Sequence, residues 1–242
     1  LAFMAQVKTP GRELPEDMLW QIDERGLMST EDYDTIINKG WMNYHADFIK
    51  KNFAHISDEL DCYLSHTKQK IEQNFTDAGV VPLTPLMTGP PAETLSGGRS
   101  MAKFLMDLHR MPDKVNAVLD VMQEETEEFV RQQIRATDPY AVFVGAARCS
   151  GDFLSKKAFD RFFWPYFKSL IEVIVDEGKI ACLHMDNNWD RFLDYFRELP
   201  KGRCIFQPDS STDIFKLKDA LAGHMCIMGD VSPSLLTLGT PD

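Results

Sequence analysis

The chain has 242 residues, with 26 Lys and Arg against 37 Asp and Glu, a formal net charge of −11, and 44% hydrophobic residues. That length and composition suit one large domain with a real apolar core. The acidity speaks against a nucleic-acid partner, which needs a basic face for phosphates, and no apolar run is long enough to span a bilayer or to form a signal peptide at Leu1.

From the N-terminus, residues 1–11 read as loop, ended by Pro10 and Gly11. Glu13 to Phe75 reads as mostly helical. Within it, Ser29-Thr30-Glu31-Asp32 makes a helix start with carboxylates in the first turn. Phe48, Ile49, Phe53, Ile56, Leu60, Leu64 and Ile71 then recur at helical spacing. Val80 to Pro91 begins β-branched, but Pro82 and Pro85 make it an irregular strand. Ser96 to Met111 and Pro112 to Ala136 read as helices, the second opened by Pro112 and Asp113. Tyr140 to Ala146 is a clean buried strand. Ser155 to Glu177 is helical, with Pro165 expected to kink or divide it. Strand 179–185, helix 189–199, strand 203–208, helix 213–222 and strand 225–230 complete the alternation.

About five strands separated by helices mean a parallel α/β sheet, either doubly wound or a (β/α)8 barrel. No glycine-rich phosphate loop follows a strand; Gly97-Gly98 is an isolated pair before a helix. A barrel takes about 250 residues, so with a long helical part ahead of residue 80 this chain would be a barrel lacking pieces. The expected organisation is a single domain over 1–242, with a mostly helical part over 1–79 and βα repeats over 80–242. The five cysteines (Cys62, Cys149, Cys182, Cys204 and Cys226) include no CxxC pair. Three lie in strand candidates, so packed thiols in a reducing cytoplasm are expected rather than a disulfide scaffold.

The chemistry concentrates in KIACLHMDNNW, Lys179 to Trp189. Side chains alternate along a strand, so Cys182, His184 and Asp186 share a face, with His184 and Asp186 at its C-terminal end. Ligands bind at that end of parallel strands. Imidazole suits a metal or proton transfer, and His184 with Asp186 offers one nitrogen and one oxygen ligand. Asp209 and Asp230 also sit at or just past strand ends, where they and Asp186 are the candidate catalytic carboxylates, while Asp213 is expected to cap a helix. Arg148 follows strand 140–146 and carries a guanidinium fork suited to a carboxylate or phosphate. Gln207, in GRCIFQPD, joins it as a substrate contact, and Met87, Phe104 and Trp189 are candidate pocket walls. Cys149 has no histidine near in sequence, which favours a plain loop residue over a nucleophile. The aromatic series Phe159, Phe162, Phe163, Trp164, Tyr166 and Phe167 reads as helix packing.

PLTPLMTGPPAETLSG followed by FLMDLHRMPDKVNAVLD resembles the uroporphyrinogen decarboxylase superfamily. The resemblance continues through CSGDFLSKKAFDRFFWPYFKSLIEVIVDEG and ends in MGDVSPSLLTLGTPD, in consistent order from about residue 80 to the end. It implies a (β/α)8 barrel with its site at the mouth of the strands. It also implies that an arginine-rich first loop and the last strands have no counterpart here, so the chain is expected to be a fragment, incomplete at both ends.

Two chemistries share that scaffold. The decarboxylases remove carboxyl groups from a tetrapyrrole without a cofactor, usually with a Phe-Ala-Lys type sequence at the strand matching 179–185. The corrinoid-dependent methyltransferases carry His-x-Cys there and use it with a later cysteine to hold zinc, which activates a thiol acceptor. His184-Met185-Asp186 keeps the histidine and replaces the cysteine by aspartate. The resemblance therefore implies, first, a methyltransferase working with a corrinoid protein, in which His184 and Asp186 hold zinc with a ligand beyond residue 242. The alternatives are a cofactor-free decarboxylase of tetrapyrrole synthesis and a non-catalytic remnant or binding subunit.

Overall fold

A computed structural model of the chain describes residues 5–54 and 62–240. The expected helical positions Ile56 and Leu60 lie outside them. The chain opens on a short antiparallel hairpin, β1 (Ala5–Lys8) with β2 (Gln21–Glu24), where the sequence reads as loop and then helix. Four-residue strands with an exposed second partner carry no alternation strong enough to announce themselves. Helix begins only at α1 (Glu31–Lys39). There the Ser29 N–H donates to the Asp32 carboxylate at 2.6 Å, satisfying a donor at the helix entrance. α2 (Trp41–Phe53) follows, and a π-helical turn (Tyr63–Thr67) leads into α3 (Lys68–Asp77).

The main sheet comes next: β3 (Leu86–Thr88), β4 (Ala141–Ala146), β5 (Ile180–Met185), β6 (Cys204–Pro208) and β7 (Cys226–Ile227). All four pairings are parallel, and spatial order equals chain order. A doubly wound sheet reverses its strand order at a switch point; this one has no reversal among the described residues, and it is not closed into a barrel there. The strand expected over 225–230 shrinks to two residues, because Gly229 and Asp230 both take positive φ, +117° and +90°.

Between β3 and β4 run α4 (Pro91–Arg99), α5 (Met101–Arg110) and the long α6 (Pro112–Thr137), whose Pro112 sits at the entrance where no N–H is needed. The helix expected from Ser96 is split at Ser100, which takes φ +72°. α7 (Lys156–Phe162) and α8 (Trp164–Asp176) divide at Phe163, with Pro165 in the first turn of α8. A 3₁₀ helix (Asp190–Glu198) and α9 (Ile214–Leu221) complete the crossovers, and α10 (Pro233–Leu238) follows β7. Asp213 caps α9 as expected, accepting from the N–H groups of Phe215 and Lys216.

Alternation along the strands makes two faces. Val142, Val144, Ala146, Ala181, Leu183, Met185, Cys204 and Phe206 are buried against the helices. Behind them lies an aromatic core: Phe159 stacks on Phe192 at 3.8 Å, and Trp189 packs between Phe163 and Phe196. Phe196 meets Phe206 of β6 edge-on at 4.9 Å. Each such ring removes a large apolar area from water, so this cluster fixes α7, α8 and the 3₁₀ helix to the sheet. The opposite face carries Met87, Phe143, Cys182, Ile205 and Cys226 in one row, and Gly145, His184 and Gln207 in the next.

Candidate functional site at the strand ends

The C-terminal ends of β3 to β7 bring their loops together. The β3 and β4 ends come especially close, since a Cβ on Gly89 would stand 3.0 Å from the Gly145 carbonyl. Gly145 pairs with His184, so no side chain competes for the space beside the imidazole. The ring rests against Phe143, with centroids 4.9 Å apart.

His184 and Asp186 meet as the alternation predicts. Nε2 lies 3.2 Å from Asp186 Oδ1, and Nδ1 lies 3.1 Å from Gln207 Oε1 on β6. The hydrogen bond from the ring to Asp186 raises the histidine's pKa above the usual imidazole range; partial burial opposes it, while the Asp186 charge, Gln207 and the Asp209 charge add to it. Both side chains remain more than a third exposed, so the pair is open to a ligand. As placed, the charged ring donates from Nε2 to Asp186 and from Nδ1 to Gln207 Oε1; on losing a proton it keeps the hydrogen facing Asp186 and leaves the lone pair on Nδ1.

The other predicted residues divide. Asp209 is committed to its neighbours: one oxygen accepts from the Asn187 N–H at 2.9 Å, the other from the Ser211 N–H at 2.8 Å. It ties the β5 and β6 loops together and adds negative charge near His184. Asp230 sits on strained backbone after β7, and its buried Oδ1 has no hydrogen-bond partner among the described residues. Met87 lies on the open face of β3, 67% exposed.

Two expectations need correction. Trp189 is fully buried in the aromatic core, as is Phe104 within α5, so neither forms a pocket wall. Trp189 acts from behind instead, donating its Nε1–H to the Asp186 carbonyl at 2.7 Å. Arg148 is not a free anion receptor, because its side chain donates to Ser96 and pairs with Glu24. Of the strand cysteines expected to pack, Cys182 and Cys204 are buried, while Cys226 is exposed on the short β7.

Two residues were passed over in the sequence. Asn187, in the left-handed region at φ +69°, donates its side-chain amide to the Ala147 carbonyl at 2.6 Å and so binds the β5 loop to the β4 loop. Asparagine is one of the few side chains that tolerate that backbone. Glu93, in the first turn of α4, is 1% exposed and accepts from the Arg148 N–H at 2.9 Å through one oxygen and at 3.1 Å through the other. Its burial pushes its pKa up to about 7, against the hydrogen bonds from Arg148, Ala147 and Cys149 that favour the charge. The Cys149 thiol, itself fully buried, is pushed well above the usual range, first by burial and then by the Glu93 charge, a setting that disfavours the thiolate.

Zinc fits poorly. Structural and catalytic zinc sites take three or four protein ligands. Among the described residues no group of three His, Cys, Asp or Glu side chains is placed to hold a metal, and the mouth supplies only His184 and Asp186. An imidazole held by a carboxylate through one nitrogen, with the other facing a polar side chain, can take up and release a proton.

Comparison with known proteins bears on the family and the fold. The family model described as uroporphyrinogen decarboxylase (URO-D) matches residues 54–242. No curated protein matches the chain. Among solved structures, a methyltransferase from Methanosarcina mazei superposes with a TM-score of 0.57 at 11% identity, covering 96% of this chain and 71% of that one. At that identity the likeness is one of fold. Among the described residues, no helix is long and apolar enough to cross a membrane.

Proposed function

Since the chain belongs to the uroporphyrinogen decarboxylase family, we propose that β3 to β7 are consecutive strands of a (β/α)8 barrel wall whose mouth performs methyl transfer rather than decarboxylation. The observation that carries this reading is the His184–Asp186 pair at the end of β5, with Gln207 on the far ring nitrogen. By the resemblance noted above, the methyltransferase branch carries a histidine on the matching strand, and one structural neighbour is named a methyltransferase. A tetrapyrrole with many carboxylates calls for basic groups. Among the described residues the mouth bears Asp186, Asp209 and Asp230, and Arg148 is engaged elsewhere.

In the proposed step a protic acceptor, such as a thiol, sits beside His184 and Gln207. Its proton passes to His184 Nδ1, and Asp186 stabilises the imidazolium that forms. The acceptor atom bonds to the methyl carbon, whose bond to the donor breaks with both electrons left on the donor. By family resemblance, that donor is a corrinoid carried on a separate protein. A small molecule or the partner protein's corrinoid must reach the open mouth.

The test is a pair of assays on the same preparation: demethylation of methylcob(III)alamin in the presence of a simple thiol, followed by absorbance, and carbon dioxide release from uroporphyrinogen. Methyl transfer that is lost in His184→Ala is expected. Decarboxylation without methyl transfer would reverse the assignment.

A further inference from the structure

The mouth loops are joined in series. Glu93 of α4 holds the turn after β4 through the Arg148 N–H, and that turn is bound to the β5 loop by Asn187 Nδ2 on the Ala147 carbonyl. The Asn187 N–H then rests on Asp209 after β6, while its carbonyl accepts from Thr212 Oγ1 at 3.0 Å. Asn187 directly follows Asp186. We propose that Glu93 is a positioning residue for the His184–Asp186 site, acting through the 147–149 turn and Asn187 on the backbone that carries Asp186.

The inference rests on the preceding reading of that pair as the reacting centre. Glu93 is buried, yet it forms no ion pair with the nearest cation, because Arg148 directs its guanidinium to Ser96 and Glu24. A buried carboxylate is costly unless its oxygens are satisfied. Here backbone N–H groups and the Cys149 thiol satisfy them, and all belong to the one turn. A carboxylate with only acceptors fits that set of donors; an amide would turn an N–H against another N–H. The charged and titratable groups against Glu93 are Arg148 and Cys149, with Glu24 of β2 beyond the guanidinium. Its pKa of about 7 means that the clamp is tightest above neutrality and loses an acceptor below it.

Amide hydrogen exchange of the full chain tests this without reference to any reaction. After correction for intrinsic rates, protection at Ala147, Arg148 and Asn187 is expected to fall together, roughly tenfold or more, as pH drops through about 7. In Glu93→Gln all three amides should be weakly protected at every pH, while Leu170 and Ile171 in the core of α8 stay as in the wild type. Loss at Ala147 and Arg148 with Asn187 unmoved would overturn the proposal, leaving Glu93 a local staple. If Glu93→Gln does not fold, the wild-type pH series decides alone: an Asn187 amide that fails to follow the other two refutes the link. Failure of methyl transfer with the exchange pattern intact would instead condemn the functional reading.

Discussion

Replacing Trp189 by phenylalanine separates two accounts of this residue. The sequence places it after a strand end, where it reads as a wall of the ligand pocket. The structure places it at 0% exposure, packed against Phe159, Phe163 and Phe196, with its indole N–H on the Asp186 carbonyl. Phenylalanine keeps one ring but removes that hydrogen bond, for about 1 kcal/mol, and leaves a void where the second ring was. Together these predict a loss of about 2–3 kcal/mol, and Trp189→Ala should cost about 3–5 kcal/mol. Urea unfolding read by circular dichroism measures both. Because the lost bond is to Asp186, turnover should fall without a selective rise in KM. A Trp189→Phe protein with wild-type stability but a raised KM would refute the argument and return Trp189 to the pocket.

Other outcomes follow from the same contacts. Asp107 receives Arg99 at 2.8 Å and the Tyr33 hydroxyl at 2.9 Å in a buried cluster. Asp107→Ala strands both and should cost about 3–5 kcal/mol in urea unfolding, whereas a joint Arg99→Met, Asp107→Leu, Tyr33→Phe exchange should recover most of the loss. Asp213→Ala removes the cap of α9 and should cost about 1 kcal/mol by thermal unfolding. His184 has a raised pKa, so its coupling to Asp186 stabilises the fold below the ordinary imidazole value and is lost as pH rises through the folded value. Proton NMR titration of the ring should place its midpoint above the usual range, and Asp186→Asn should bring it down.

Much of the architecture was written in periodicity. The apolar runs at 140–146, 179–185 and 203–208 are β4, β5 and β6 to within a residue, because strands of a parallel sheet read as short apolar runs, too brief for a helix and bounded by turn residues. The His184–Asp186 pair was equally legible, since period-two alternation alone puts both on one face. What escaped was set by tertiary context. The β1–β2 hairpin depends on pairing between short exposed strands, and β7 ends early because of backbone at Gly229 and Asp230. Trp189 and Arg148 were misplaced because sequence fixes their distance from a strand end but not the direction of the side chain. Glu93 was missed for the opposite reason: PPAET reads as an ordinary helix start, and only the fold brings the 147–149 turn onto that carboxylate.

The central claim is that the His184–Asp186 pair takes the acceptor's proton during methyl transfer. The most direct measurement is the rate of methylcob(III)alamin demethylation by a thiol across pH 5 to 9 in the wild type, His184→Ala and Asp186→Asn. The account predicts a rate that rises as pH passes a midpoint above the usual imidazole range, a midpoint lowered in Asp186→Asn, and a fall of roughly 100-fold or more in His184→Ala. A wild-type rate in His184→Ala, or a midpoint indifferent to Asp186, would contradict it.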